Sequence, residues 1–302
     1  MASVNDEQKM SKINKSLLII CVSVSAIFAY SFCDRQFKKS NIQEEWPLVE
    51  MASLTKDDQI LLEKIVSQPF HYLDRGKQSF VFESQDKKVV LKFFDKRCLN
   101  SGKFPFIFNI KKKRCAKKIE QLFEGYRVAQ EYDAGNTGLL YLQLVPDSSY
   151  SVKVDLIDRF GIKHVIDLSE VPFVVQEKAT PLRNLISKQL NKGNVEEAKK
   201  KLFRMVSLYI DEYRRGIMDL DHNFMYNTGF VGENPIRIDL GRLKLNEEIK
   251  NPQCYRQDLN KVFIQRLGKW LESHYPKYKD EILNDMQSYL QKNLPAEYCT
   301  LH

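Results

Sequence analysis

Hydrophobic and polar positions fall into two regimes along the 302 residues of the chain. From about residue 70, short apolar runs of period two alternate with turn residues. FHYLDRG, SFVFESQ and KVVLKFF (70–76, 79–85 and 88–94) have the alternation and the β-branched and aromatic content of strands, and Asp86-Lys87-Lys88 reads as a hairpin turn. GLLYLQLV, SVKVDLI and PFVVQEKA read as further strands, preceded by one helix, AKKIEQLFEGYRVAQEY, that Gly135, Asn136 and Gly138 break. From Thr180 the period becomes helical: PLRNLISKQL, VEEAKKKLFRMVSLYIDEYRRG and a tail from about Tyr255 to Leu294. Upstream, Thr55-Lys-Asp-Asp58 resembles a capping box opening the short helix DDQILLEKIVSQ, which Pro69 ends. The pattern predicts an α+β chain, a strand-rich half with one helix followed by a helical half, joined near residues 177–180.

One stretch is not globular in character. Residues 16–33, SLLIICVSVSAIFAYSFC, carry no charge, close to the roughly 20 residues that cross a bilayer. Three lysines (Lys9, Lys12, Lys15) precede it and three basic residues (Arg35, Lys38, Lys39) follow it, so flanking charge gives no orientation. The run is longer than a usual signal core and predicts an uncleaved single-pass anchor, with the rest of the chain cytoplasmic. The alternative is a cleaved signal peptide and export, for which Ala29-x-Ser31 offers a cleavage site. A polar spacer, about 34–54, follows.

Composition narrows the classes. With 43% hydrophobic and 28% charged residues there is ample material for a core. The net charge of +8 fits an anionic partner or a generally basic protein, but no nucleic-acid reader motif is present and that partner class is disfavoured. The six cysteines form no C-x-x-C pair or scaffold spacing and the five histidines no ligand spacing, which disfavours a zinc site and reads as reduced thiols.

The candidate chemistry sits between the regimes and just after the first long helix of the second. Lys92 lies in the centre of the apolar strand Val-Val-Leu-Lys-Phe-Phe, where burial is costly without an anion; its plainer fate is to reach solvent. Gly76-Lys-Gln-Ser79 between two strands could aim backbone N–H groups at phosphates, or be an ordinary hairpin. The stretch GIMDLDHNFMYNTGFVGENPIRIDLG, residues 216–241, concentrates aspartate and asparagine, both poor strand formers, between apolar residues. Phosphoryl transfer uses a carboxylate for the attacking hydroxyl and oxygen ligands for magnesium. Asp221, Asn227 and Asp239 supply that set, and a hairpin between Asn227 and Asp239 would bring both to one end of a ribbon.

In order and spacing these motifs resemble the protein-kinase-like superfamily, which includes aminoglycoside phosphotransferases and bacterial sugar or lipopolysaccharide kinases, over about residues 70–245. Gly76-x-x-Ser79-x-Val-Phe looks like the nucleotide-covering loop, Val-Val-Leu-Lys92 like the phosphate-gripping strand, and Gln176-Glu177-Lys-Ala179 like the interlobe hinge. Met218-Asp219-Leu220-Asp221 is similar to the approach to His-Arg-Asp, Asn227 to the metal-binding asparagine and Asp239-Leu-Gly241 to Asp-Phe-Gly. The resemblance implies a two-lobed protein-kinase-like fold with an N-terminal hydrophobic helix. Its parts would be an anchor with flanks (1–40), a linker and short helix (41–69), an N-lobe of antiparallel sheet with one helix (70–178) and a mainly helical C-lobe (179–302). It implies ATP and magnesium as cofactors: Lys92 on phosphates, oriented by Glu124 (Glu120 and Glu131 in reserve), Gly76, Ser79 and Glu177 around the nucleotide, and Asn227 and Asp239 on the metal. Asp221 would serve the acceptor hydroxyl.

Three departures shape the expected activity. The interval from Asp221 to Asn227 is one residue longer than the family's, which keeps Asp219 open as the catalytic carboxylate. The second and third glycines of the nucleotide loop are absent. No Ala-Pro-Glu follows Asp239, and only a short segment separates Gly241 from the next helix. The expected function is ATP- and magnesium-dependent phosphotransfer to a hydroxyl of a small-molecule, sugar or lipid acceptor near a membrane. The alternative is a pseudokinase that binds nucleotide or acts as a scaffold without turnover.

Overall fold

The computed structural model describes residues 17, 20–25, 36–43, 46, 55–76, 78–96 and 105–294, with the backbone alone for 105–113. Helix α1 (Lys56–Val66) opens at the expected capping box: the Thr55 hydroxyl accepts from the Asp58 N–H, and the Asp58 carboxylate accepts from the Thr55 N–H. Strands β1 (Phe70–Arg75), β2 (Ser79–Ser84) and β3 (Val89–Phe94) follow where alternation places them. Helix α2 (Pro105–Tyr132) precedes β4 (Leu139–Gln143), β5 (Lys153–Ile157), β6 (Lys163–Asp167) and β7 (Phe173–Glu177). These strands make one sheet in the order β4-β7-β3-β2-β1-β5-β6. It is not purely antiparallel as expected, because β1 and β5 pair in parallel.

Apolar packing covers both faces of this sheet, which is why β3 and β7 read as nearly continuous apolar runs. Phe80, Phe82, Leu91, Phe93, Phe173 and Val175 join Leu62 and Val66 of α1 on one face. Phe94 and Val174 join Leu122, Phe123, Tyr126 and Ala129 of α2 on the other. The expected polar spacer takes part in both. Phe37 sits edge-on to Phe80 and Phe82 at 5.4 and 5.0 Å, and Trp46 stacks on Phe123 at 5.8 Å.

The second half begins with β8 (Thr180–Pro181), α3 (Leu182–Asn191), α4 (Val195–Arg214) and β9 (Ile217–Asp219). One turn of helix, α5 (Phe224–Asn227), leads into the hairpin β10 (Thr228–Val231) and β11 (Asn234–Arg237), and β12 (Leu243–Leu245) returns to pair with β9. The tail is broken rather than continuous. It runs as α6 (Pro252–Leu259), a π-helical segment (Asn260–Arg266), α7 (Leu267–His274) and, after Pro276, α8 (Lys279–Asn293). Its core joins Leu202, Met205 and Tyr209 of α4 to Phe263, Leu271, Ile282 and Met286.

Of the uncharged run 16–33, residues 17 and 20–25 are helical, with exposed Leu17, Ile20, Val22 and Val24, and the others lie outside the described residues. No helix among the described residues is long and apolar enough to cross a membrane, so the expected N-terminal hydrophobic helix is not part of the described architecture. The reduced-thiol expectation is corrected at one position: Cys115 is disulfide-bonded.

Candidate active site

Lys92 stands where the sheet meets the segment that leads to Asp239. Pairing of β3 with β2 and β7 sets Lys92 opposite Val81 and Val174. Strand alternation puts it on the face of Phe94, toward α2 and away from Leu91 and Phe93. It does not reach solvent: Lys92 is 5% exposed, and its Nζ donates to the Ile238 carbonyl at 2.6 Å. Burial pushes the ammonium down to about 8, against the opposing pull of the Asp239 carboxylate.

The hairpin expected between Asn227 and Asp239 forms. Thr228 pairs with Arg237 and Val231 with Asn234, and beyond the ladder the Asn227 carbonyl accepts from the N–H groups of Ile238 and Asp239 at 2.7 and 3.2 Å. Asn227 and Asp239 thus leave the ribbon at one end, beside the Lys92 ammonium. Asp239 Oδ1 accepts from the Gly241 N–H at 3.2 Å, which turns the chain away from the cleft.

The two aspartates of the preceding loop occupy different environments. Asp221 is exposed, and its Oδ1 accepts from the Asn223 N–H at 3.2 Å. Asp219 is 2% exposed, accepts from Arg237 Nη1 at 2.8 Å on Oδ2 and from the Asp221 N–H at 2.8 Å on Oδ1. Burial pushes the Asp219 carboxyl up to about 6, opposed by the Arg237 guanidinium. Between Asp221 and Asn227 the chain enters the single turn α5 at Asn223.

Glu124 is not the partner of Lys92. It is exposed and sits 3.7 Å from Arg127 on its own helix. Glu120 and Glu131 are exposed as well. The cause is helical phase: Leu122, Tyr126 and Ala129 form the buried stripe of α2, and 120, 124, 127 and 131 trace the opposite stripe at three- and four-residue spacing. Toward the cleft α2 presents Gly125 and Tyr126. A Cβ on Gly125 would lie 2.4 Å from the Leu240 carbonyl oxygen and 2.8 Å from the Gly241 carbonyl carbon, so only glycine lets the helix approach the Asp239-Leu-Gly241 turn.

The remaining expected residues line the edges. The Gly76 N–H donates to the Ser79 carbonyl at 2.9 Å, closing the β1–β2 turn, and Ser79 pairs with Phe94, two positions beyond Lys92. Glu177 ends β7 at the other end of the strand pair, opposite Val89. It is half-buried, and its N–H donates to the Gly138 carbonyl at 2.8 Å. Its neighbour Gln176, buried, donates from Nε2 to the carbonyls of Thr137 and Arg237 at 2.5 and 2.9 Å and so ties the linking strand to β11.

Sequence reasoning passed over Arg237. Its side chain is fully buried, doubly bonded to Glu212 of α4 (Nε to Oε1 at 2.7 Å, Nη2 to Oε2 at 2.5 Å) and stacked over Tyr209 at 4.2 Å. Burial pushes the Glu212 carboxyl up to about 8 against the pull of this guanidinium. The missed signal was a lone arginine in the apolar strand Pro-Ile-Arg-Ile.

A divalent ion fits this donor set. Among the described residues no three histidine, cysteine, aspartate or glutamate side chains gather around a metal site. Magnesium in nucleotide sites takes one or two protein oxygens and completes its shell with phosphate oxygens and water, and Asn227 and Asp239 are two oxygen donors at one ribbon end. A recess on the C-terminal helices, lined by Arg256, Gln257, Asn260 and Gln291, shares none of these residues.

No protein-family model matches the chain, and no curated protein matches it. Among solved structures it is similar to WbdD, at 16% identity and a TM-score of 0.40, over 78% of this chain and 48% of that one. A further WbdD structure, described as a bifunctional kinase-methyltransferase, matches at 13% identity and a TM-score of 0.36, over 88% and 51%. The APH(2")-IIa complex with streptomycin and ATP matches at 14% and 0.24, over 80% and 93%. The chain spans about half the length of WbdD. Likenesses of this degree carry no weight for function; the cleft geometry does.

Proposed function

We propose that the protein is a two-lobed, kinase-like phosphotransferase that moves the terminal phosphoryl group of MgATP to a hydroxyl. The observation that carries this reading is the buried Lys92 ammonium, 2.6 Å from the Ile238 carbonyl and next to Asp239. A cation buried in an apolar strand is costly unless an anion meets it, and nucleotide phosphates are the anion this cleft would admit. Asn227 and Asp239 would hold the magnesium ion, which would neutralise charge on the transferred group. Gly76 and Ser79 would cover the phosphates, and the linking strand at Glu177 would border the nucleotide. Asp221, exposed at the mouth, would accept the proton of the acceptor hydroxyl as its oxygen attacks the phosphorus and the bond to the leaving diphosphate breaks.

The acceptor is inferred to be a small molecule, sugar or lipid. Ten residues, 242–251, connect Gly241 to α6, and β12 within them is paired to β9, so no long segment is free to seat a peptide. Exposed Leu220, next to Asp221 in the chain, would offer the acceptor an apolar face. Attachment through residues 16–33 would hold the cleft near a membrane.

The test is MgATP-dependent stabilisation followed by label transfer. MgATP should raise the melting temperature of the wild-type chain, and label from γ-labelled ATP should appear in a phosphatase-sensitive ester of a sugar or glycolipid acceptor panel. Asp221→Asn should keep the thermal shift and lose transfer. A folded wild type with no shift at millimolar MgATP would overturn the reading.

A further inference from the structure

Asp219 carries a carboxylate whose two oxygens serve different parts of the cleft. Oδ2 accepts from Arg237 Nη1 at 2.8 Å, and Oδ1 accepts from the Asp221 N–H at 2.8 Å. Arg237 ends β11, two residues before Asp239, and the N–H groups of Ile238 and Asp239 are pinned to the Asn227 carbonyl. One guanidinium therefore stands between the segment holding the two proposed metal ligands and the loop holding the proposed base. Its other bonds fix it from behind: Glu212 grips it from α4, Tyr209 stacks on it, and Gln176 holds its carbonyl from the linking strand.

Such an arrangement is expensive to keep for stability alone. Buried ion pairs offset much of their attraction with desolvation, and apolar residues of similar volume serve a core equally well. What an ion pair supplies and an apolar contact does not is direction. The planar fork of an arginine donates to its partners at fixed angles, so Asp219 cannot rotate without losing Arg237, and Asp221 cannot shift without losing Asp219.

We propose that Arg237 is a positioning residue that, through Asp219, sets where the Asp221 carboxylate stands relative to the Asn227–Asp239 pair. This rests on the phosphotransferase reading of the cleft. In this chain Asp219 stands where the kinase pattern has a histidine, and Arg237 is the partner that gives an aspartate at that place a use. Glu212 and Asp219 share the same guanidinium, yet only Asp219 continues to the loop. That asymmetry separates a positioning role from a structural one.

The experiment compares Asp219→Asn, Arg237→Lys and the core variant Met286→Ala in the full chain, reading melting temperature, MgATP affinity by thermal shift and the rate of phosphate release from MgATP. Backbone amide exchange is followed over 216–227 and 238–241. Misplacing a reacting group by about 1 Å costs on the order of 100-fold, so Asp219→Asn and Arg237→Lys should each lower kcat by ~30-fold or more, with KM for MgATP within ~3-fold of wild type. Both should raise amide exchange in the two segments together. Met286→Ala, in the helical core away from this relay, should lower the melting temperature at least as much as Asp219→Asn while changing kcat by less than ~3-fold. Losses of kcat that follow the melting temperature across all three variants would overturn the proposal, as would exchange that rises in one segment only. If wild type releases no phosphate and binds no MgATP, the phosphotransferase reading fails, and amide exchange alone still decides whether Arg237 couples the two segments.

Discussion

The Lys92 ammonium and the Ile238 carbonyl meet at 2.6 Å although 146 positions separate them in the chain. The bond joins the centre of the seven-stranded sheet to the residue before Asp239. A buried lysine bonded to one backbone carbonyl and drawn by the Asp239 carboxylate is only partly compensated, and burial holds its pKa down near 8.

Lys92→Met should exchange function for stability. Because Lys92 has a folded-state pKa depressed from 10.5 to about 8, its charged form is penalised in the native state below pH 8, and the penalty fades as pH rises from about 8 through 10.5. Removing the charge should stabilise the nucleotide-free chain by about 1–3 kcal/mol at pH 7 and abolish the rise in stability between pH 8 and 10.5. The MgATP-induced shift should disappear in the same variant. Urea titrations at pH 7 and 10 check the first effect, and a variant less stable than wild type at both would refute it.

Glu124→Ala is expected to be silent. The side chain is half exposed, and its 3.7 Å approach to Arg127 is a surface pair within one helix, worth at most a few tenths of a kcal/mol. MgATP affinity and turnover should remain within about twofold of wild type. A tenfold loss of MgATP affinity would mean that α2 rotates to bring Glu124 to Lys92 when nucleotide binds.

What the sequence made legible follows from where local chemistry was sufficient. β1, β2 and β3 alternate strongly and lie within a residue of their expected bounds; α1 opens where expected, because Thr55 and Asp58 satisfy each other locally, but ends at Val66, two residues before Gln68. The Asn227–Asp239 hairpin was legible because its ends are close in sequence. β6 was not: Lys163, His164 and Asp167 leave an edge strand only half apolar. Glu124 was selected by analogy although the apolar stripe Ile119, Leu122, Tyr126, Ala129 already turned it to solvent. Arg237 was harder to place: a lone arginine in the apolar Pro-Ile-Arg-Ile signals burial only if a partner is at hand, and its partners lie 25 and 18 positions upstream.

Gly125→Ala tests the close approach of α2 to the Asp239 turn. A Cβ at 2.4 Å from the Leu240 oxygen and 3.0 Å from the Gly241 Cα meets backbone, which cannot rotate away as a side chain would. The helix or the turn must shift, at about 1–3 kcal/mol, even though alanine is by propensity the better helix former. The displaced turn carries Asp239, so the MgATP-induced thermal shift should fall along with stability. A stability equal to or above wild type would show that the helix yields freely.

Truncation at the N-terminus should depend sharply on whether Phe37 is retained. Phe37 is 3% exposed and packs against the rings of Phe80, Phe82 and His164 at 5.4, 5.0 and 5.3 Å. Only three residues, 34–36, separate it from the uncharged run that ends at Cys33. An extended chain covers at most about 3.5 Å per residue. If that run spans a bilayer, the sheet is held within roughly 15 Å of the surface. Removal of residues 1–34 should then release a folded, soluble chain from membranes that resist carbonate extraction before the cut. Removal of residues 1–40 takes Phe37 as well and should cost about 3–5 kcal/mol, seen as a lowered urea midpoint. Full-length chain found entirely in the carbonate supernatant would refute the anchor. Equal stability of the two truncated chains would refute the role given to Phe37.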